Sequence, residues 1–154
     1  MPDERHVLFE EEPRHAAHGE RKAMSDISIC LVVGAGGFIG ANARYFIGRL
    51  VLQKWGGAFP YGTFIINILG CFILGLFGTL ADRLAWNDAW RFLIAVGFVG
   101  AFTTFSTFEY ETFQLASQGS LIRAGLNVLG SVVIGFLAAG LGVLLARLLL
   151  RSHP

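Results

Sequence analysis

The sequence predicts an all-α integral membrane protein of four transmembrane helices, the third broken near mid-membrane. Three observations lead there. Of 154 residues, 54% are hydrophobic and 15% charged, with a mean hydropathy of +0.59, too apolar and too poor in charge for a soluble domain of this size. The apolar residues collect into four runs, roughly Ile27 to Leu52, Gly62 to Ala81, Phe92 to Leu115 and Leu121 to Leu150, each long enough for the ~20 residues that cross a bilayer core. The third run alone is interrupted by a dense polar stretch, "TTFSTFEYE", Thr103 to Glu111.

Residues 1–24, with Pro2, Pro13, a run of Glu and no apolar period, have the composition of a disordered extension. They do not read as a secretory signal, which needs a basic stretch, an apolar core and a small-residue cleavage site. Met24 is an expected alternative start, which an intact mass of the natural product tests. A four-helix membrane domain is expected over residues 25–151 and a short tail over 152–154. Cys30 and Cys71 lie in apolar runs without CxxC spacing, and His6, His15 and His18 belong to the acidic tail. Buried small hydrophobes and solvated side chains are the expectation for these, not a metal site.

The connections support the count of four. "QKWGGAFPYG" and "DRLAWNDAWR" carry glycine, proline, charges and aromatic residues, and "SQGSLIR" is short and polar. Aromatic and charged residues collect at the expected water interfaces. Glycine is abundant inside the spans: Gly34, Gly36, Gly37 and Gly40 in the first, Gly70, Gly75 and Gly78 in the second. In the fourth, Gly125, Gly130, Gly135 and Gly140 recur every five residues. Small residues let helix backbones approach closely where lipid supplies no hydrophobic drive, so most of these are read as packing faces.

An even number of spans puts both termini on one side. From Met24 onward the basic residues tie, with Arg83, Arg91, Arg147 and Arg151 on the terminal side and Arg44, Arg49, Lys54 and Arg123 opposite. The positive-inside rule needs an imbalance to orient a chain, so insertion in both directions is expected. Translation of Arg5, Arg14, Arg21 and Lys22 would tip the balance. The formal charge of +1 carries no signal for an acidic substrate, and no nucleic-acid partner is expected.

Polar side chains within a span are candidate functional groups, because a charge at the bilayer centre costs about 2.5 to 3.5 kcal/mol on insertion scales. Asn42 and Arg44 end the apolar part of span one; Arg44 either snorkels to the interface or marks the mouth of an anion route. Asn67, with Thr63 one turn earlier, either ties helices together or faces a polar cavity. In span three, two glycines, paired threonines and then Ser106 and Thr107 make a poor helix. A break at that depth survives only where the freed backbone groups line a cavity or bind an ion. Phe105 and Phe108 share a face of the resuming helix, where edge-on rings present positive edges to an anion. Thr107 and Glu111, and Asn127 and Ser131 in span four, are i, i+4 pairs that suggest a polar stripe for something small and strongly hydrated.

"GGFIGANARY" (Gly36 to Tyr45), "GTFIINILGCFILG" (Gly62 to Gly75) and "GFVGAFTTFSTFE" (Gly97 to Glu109) resemble the signature segments of the Fluc, or CrcB, fluoride channels. The resemblance runs in order from about Gly34 to the end of span four. It implies an antiparallel, dual-topology homodimer in the cell membrane with two fluoride pores, in line with the even charge count. It also implies a structural Na+ held by backbone carbonyls at Gly100 and Thr103, pore phenylalanines at Phe105 and Phe108, a pore asparagine at Asn67 and a mouth arginine at Arg44. Ser106, Thr107, Ser131 and Glu111 match the family's polar pathway, and Asn127 stands where some relatives have tyrosine.

Two other readings use the same four spans. A small dual-topology multidrug exporter needs a membrane carboxylate in span one, and Ile27 to Leu52 has none. A non-transporting structural subunit explains the glycine faces but leaves the polar break and Asn67 without a cause. With no Ser/His/Asp set and no histidine inside a span, an enzyme is not expected.

Overall fold

The computed structural model describes residues 24–151. The expected tail over residues 1–24, Met24 apart, and the three residues 152–154 lie outside the described residues, as do His6, His15 and His18. Four apolar helical stretches, each long enough to cross a membrane, run at Asp26–Trp55, Tyr61–Arg83, Asp88–Ser117 and Leu121–Arg151.

Helix α1 (Asp26–Trp55) starts where the Ser25 hydroxyl accepts the N–H of Ser28 at 3.3 Å, which satisfies one of the donors a helix start leaves over. It ends at Gly56, whose φ of 71° no β-branched residue would adopt easily. Helix α2 (Tyr61–Arg83) begins after Pro60, and Arg83 closes its last turn, where a cation complements the helix dipole. A short helix α3 (Asp88–Arg91), capped by Asn87 through the Trp90 N–H, feeds a π-helical stretch over Phe92–Val99 and one further α turn, α4 (Gly100–Phe102).

There the helix stops. Thr103 (φ −80°, ψ 160°) and Thr104 (φ −151°, ψ 113°) are both extended, and helix α5 (Phe105–Ser117) resumes with Thr104 as its cap. Its far end closes with Gly119 at φ 79°, the Ser120 N–H on the Leu115 carbonyl and the Gly119 N–H on the Ala116 carbonyl, a Schellman motif. Helix α6 (Leu121–Arg151) completes the chain.

Two glycine seams hold the helices together. On the first, α1 lies against the π-helical stretch so closely that a Cβ at Gly36 or Gly40 would meet the backbone of Leu93 or Phe98, and one at Gly97 the carbonyl of Val33. On the second, α2 and α6 meet where a Cβ at Gly75 would strike the Ala139 carbonyl and one at Gly142 the Phe72 carbonyl. The five-residue recurrence in α6 does not make a single face. Gly130 and Gly135 contact Phe64 and Cys71, whereas Gly125 and Gly140 have nothing within 4 Å, because five residues turn a helix well past a full circle. Gly34 and Gly78 likewise face open space.

Outward-facing side chains such as Ile122, 81% exposed, and Phe136, 80%, are large and apolar, the surface a lipid-embedded chain presents. Cys30 is exposed rather than buried. A thiol this apolar needs no protein cover where the surroundings are hydrocarbon.

Candidate functional site

The break at Thr103–Thr104 would leave backbone groups unpaired in an apolar setting, and side chains from two neighbouring helices meet that demand. Asn67, on α2, uses both ends of its amide on one residue: its Oδ1 accepts from the Thr104 N–H at 2.9 Å, and its Nδ2 donates to the Thr104 carbonyl at 3.2 Å. The side chain therefore does for Thr104 what a neighbouring strand would do. Arg44, on α1, reaches the same place, its Nη1 3.4 Å from the Thr103 carbonyl. Of the two sequence readings of Asn67, helix tie or wall of a polar cavity, these bonds describe the tie, and Asn67 is not among the residues that line the cavity below.

The threonines serve the break as well. The Thr103 N–H and hydroxyl both go to the Val99 carbonyl, at 3.0 and 2.9 Å. The Thr104 hydroxyl accepts the Thr107 N–H at 3.3 Å and bonds the Thr107 hydroxyl at 2.9 Å. In an unbroken helix the Thr104 N–H would bond the Gly100 carbonyl and the Thr107 N–H the Thr103 carbonyl. Asn67 and the Thr104 side chain take those two donors, which releases the carbonyls of Gly100 and Thr103. Carbonyl oxygens are the ligand type hard cations prefer.

A cavity of about 690 Å³ leads to the break from the end of the bundle opposite the termini. Arg44, Arg49, Thr63, Thr104, Thr107 and Glu111 are among the polar residues of its wall. Glu111 projects from α5 with one carboxylate oxygen buried and unpartnered. Thr107 and Glu111, paired in the sequence by their spacing, thus line one space.

The other predicted residues are distributed differently. Phe105 is 73% exposed on the outer side of the chain and Phe108 7% exposed, yet their rings touch, with centroids 5.9 Å apart and planes tilted by 41°. Ser106 and Gly100 are exposed. Asn127 and Ser131 do not line the cavity: Asn127, 1% exposed, donates from Nδ2 to the Thr112 hydroxyl at 2.8 Å, and the Ser131 hydroxyl is buried without a partner. Asn42 turns back to its own helix, donating to the Phe38 carbonyl at 2.7 Å. Sequence reasoning missed Thr104, Arg49 and Thr112. The doubled threonine was the available signal for Thr104; nothing local distinguishes Thr112.

A family model described as "CrcB-like protein, Camphor Resistance (CrcB)" matches residues 31–143, a stretch that contains Arg44, Asn67, the break and Ser131. The chain belongs to the CrcB family. Among relatives of this CrcB chain, the fluoride-specific ion channel FluC of Acidobacterium capsulatum is 46% identical over 118 residues, 76% of this chain and 94% of the relative. That of Chloroflexus aurantiacus is 48% identical over 118 residues, with the same coverage. The FluC of Vibrio campbellii is 42% identical over 130 residues, 84% of this chain and all of the relative.

Proposed function

We propose that this CrcB chain is a channel, not an enzyme, and forms a fluoride-selective passive pore that releases cytoplasmic fluoride and so gives fluoride resistance. The observation that carries the reading is the two-residue break at the foot of a polar cavity, in a chain whose relatives bear the name fluoride-specific ion channel. Fluoride is small and hard, and stripping its water is costly, so a pore for it must offer compact donors. The resumed helix supplies them. Of its first N–H groups, Thr104 caps that of Thr107; those of Phe105 and Ser106 have no partner within the helix and sit at its positive end. Asn67, Ser106, Thr107, Ser131 and Glu111 form the proposed pathway, with Phe105 and Phe108 as its aromatic wall and Arg44 beside the break rather than at an outer mouth.

A passive route is enough. A membrane potential of about 100 mV acts on each charge with about 2.3 kcal/mol, which holds internal fluoride ~50-fold below external at equilibrium. Chloride leakage would collapse that potential, so selectivity belongs to the function.

The working unit we propose is an antiparallel homodimer in the cell membrane, supported by the tie of basic residues on the two sides. A structural sodium ion fits the released carbonyls of Gly100 and Thr103 in ligand type. These two positions bring two oxygens per chain, and a second copy would double them; the Arg44 contact to Thr103, long at 3.4 Å, would yield to the ion. Bound there, sodium supplies positive charge that holds two broken helices together.

The test is anion efflux from liposomes holding the purified protein, with fluoride and chloride electrodes and a potassium ionophore. Fast fluoride release without chloride release is expected. Absence of fluoride release from folded protein would sink the reading.

A further inference from the structure

Helix α5 is short, and the break disconnects it from α4, so its placement depends on what grips it from outside. Two side-chain amides do so, one turn on either side of Phe108. Four residues before it, Asn67 of α2 holds both backbone groups of Thr104. Four residues after it, the Thr112 hydroxyl donates to the Phe108 carbonyl at 2.7 Å and accepts from Asn127 Nδ2 of α6 at 2.8 Å. Positions 104, 108 and 112 run along one line of the helix surface.

The direction of these bonds is determined by proton count. A hydroxyl has one proton, and that of Thr112 goes to the Phe108 carbonyl, so its oxygen is free to accept and the Asn127 amide must donate. Asn127 is almost wholly enclosed, and an amide that lost this partner would find no water to replace it.

We propose that Thr112 and Asn127 are positioning residues for Phe108. The relay from Asn127 through Thr112 to the Phe108 carbonyl sets the rotation of α5 about its own axis and so aims the Phe108 ring, together with that of Phe105 on the same helix. A turn of α5 by about 20° would carry a group at the helix rim, ~5 Å from the axis, by about 2 Å. Both rings ride on α5, so such a turn re-aims the Phe105–Phe108 pair as a unit, with its 5.9 Å centroid spacing kept. In this account Asn127 acts through Thr112 and not by touching the permeating ion. The proposal rests on the channel reading for its flux readout only.

The test reads flux and ring position separately, in the full-length chain. 4-Fluorophenylalanine at position 108 gives a fluorine NMR line that reports the ring's surroundings whether or not ions pass. Thr112→Val is expected to shift or broaden that line and to slow fluoride efflux about tenfold or more, the scale of one lost hydrogen bond expressed as a barrier. Thr112→Ser keeps the hydroxyl, and both readouts are expected to stay close to those of the natural protein. Since Thr112→Val leaves a buried amide unpaired and risks misfolding, the double variant Thr112→Val with Asn127→Leu removes both partners. It is expected to fold, with the line displaced and efflux still slow. Unchanged line and efflux in the double variant, or Thr112→Ser behaving like Thr112→Val, would overturn the inference. Should the natural protein itself release no fluoride, the channel reading fails, and the fluorine line alone decides the positioning role.

Discussion

The α2–α6 seam and the seam between α1 and the π-helical stretch use the same device to opposite ends. In both, glycines bring backbone against backbone: Gly75 and Gly142 in the first, Gly36, Gly40 and Gly97 in the second. The first joins two uninterrupted α-helices. The second leads within a few residues into the break at Thr103–Thr104, where Arg44 and Asn67 converge. Close packing therefore does not by itself produce the polar site. What differs is the partner: a π-helical stretch and a single α turn that end in two extended residues, held open by side chains from α1 and α2.

That contrast is open to breakage at either seam. The largest effect is expected from Gly142→Val, which drives a branched side chain into the Phe72 carbonyl and the Leu76 N–H. Backbone cannot give as a side-chain tip does, so a loss beyond the usual 1–3 kcal/mol or so of an overpacked core is expected. Size-exclusion chromatography in detergent checks it; a sharp native peak would show the seam to be looser than drawn. Asn67→Leu comes next, because it orphans both polar groups of Thr104 at about 1–3 kcal/mol each. Here both thermal stability and efflux should fall, whereas a seam variant loses the fold outright.

Phe105→Ile and Phe108→Ile are expected to stop fluoride flux while assembly persists, with only the buried Phe108 costing stability, about 1–2 kcal/mol. Normal efflux in both would remove the aromatic wall from the account. Replacing sodium with a larger cation should weaken assembly or flux, and indifference would argue against an ion at Gly100 and Thr103. The smallest effect belongs to Gly125→Ala and Gly140→Ala, which meet nothing within 4 Å. Their melting temperatures should hold or rise slightly, since alanine favours a helix by up to about 1 kcal/mol over glycine. A marked fall would put a further contact on that face of α6, such as one from a second copy.

Part of the polar cluster at Thr103–Thr104 was legible in one dimension. The doubled threonine after Gly97 and Gly100 announced the break, and Asn67 stood out as an amide in hydrocarbon. Less legible was what each polar group does. The i, i+4 spacing of Asn127 and Ser131 put them on one face, but not which helix that face meets, and α6 turns Asn127 to Thr112 rather than to the cavity. Gly142 carried no mark that separated it from Gly140, its neighbour but one.

Composition and pattern by themselves determined that the chain is helical, that it has four membrane-length spans and where the third is interrupted, because length, apolarity and helix propensity are local properties. Tertiary structure alone decided which glycines meet backbone, that Asn67 serves both polar groups of Thr104, and that Asn127 grips α5 through Thr112. The physical reason is that a membrane helix is nearly as apolar toward lipid as toward its neighbours. Its sequence therefore lacks the two-faced periodicity that would reveal its rotation, and each side chain's partner is decided only when the helices come together.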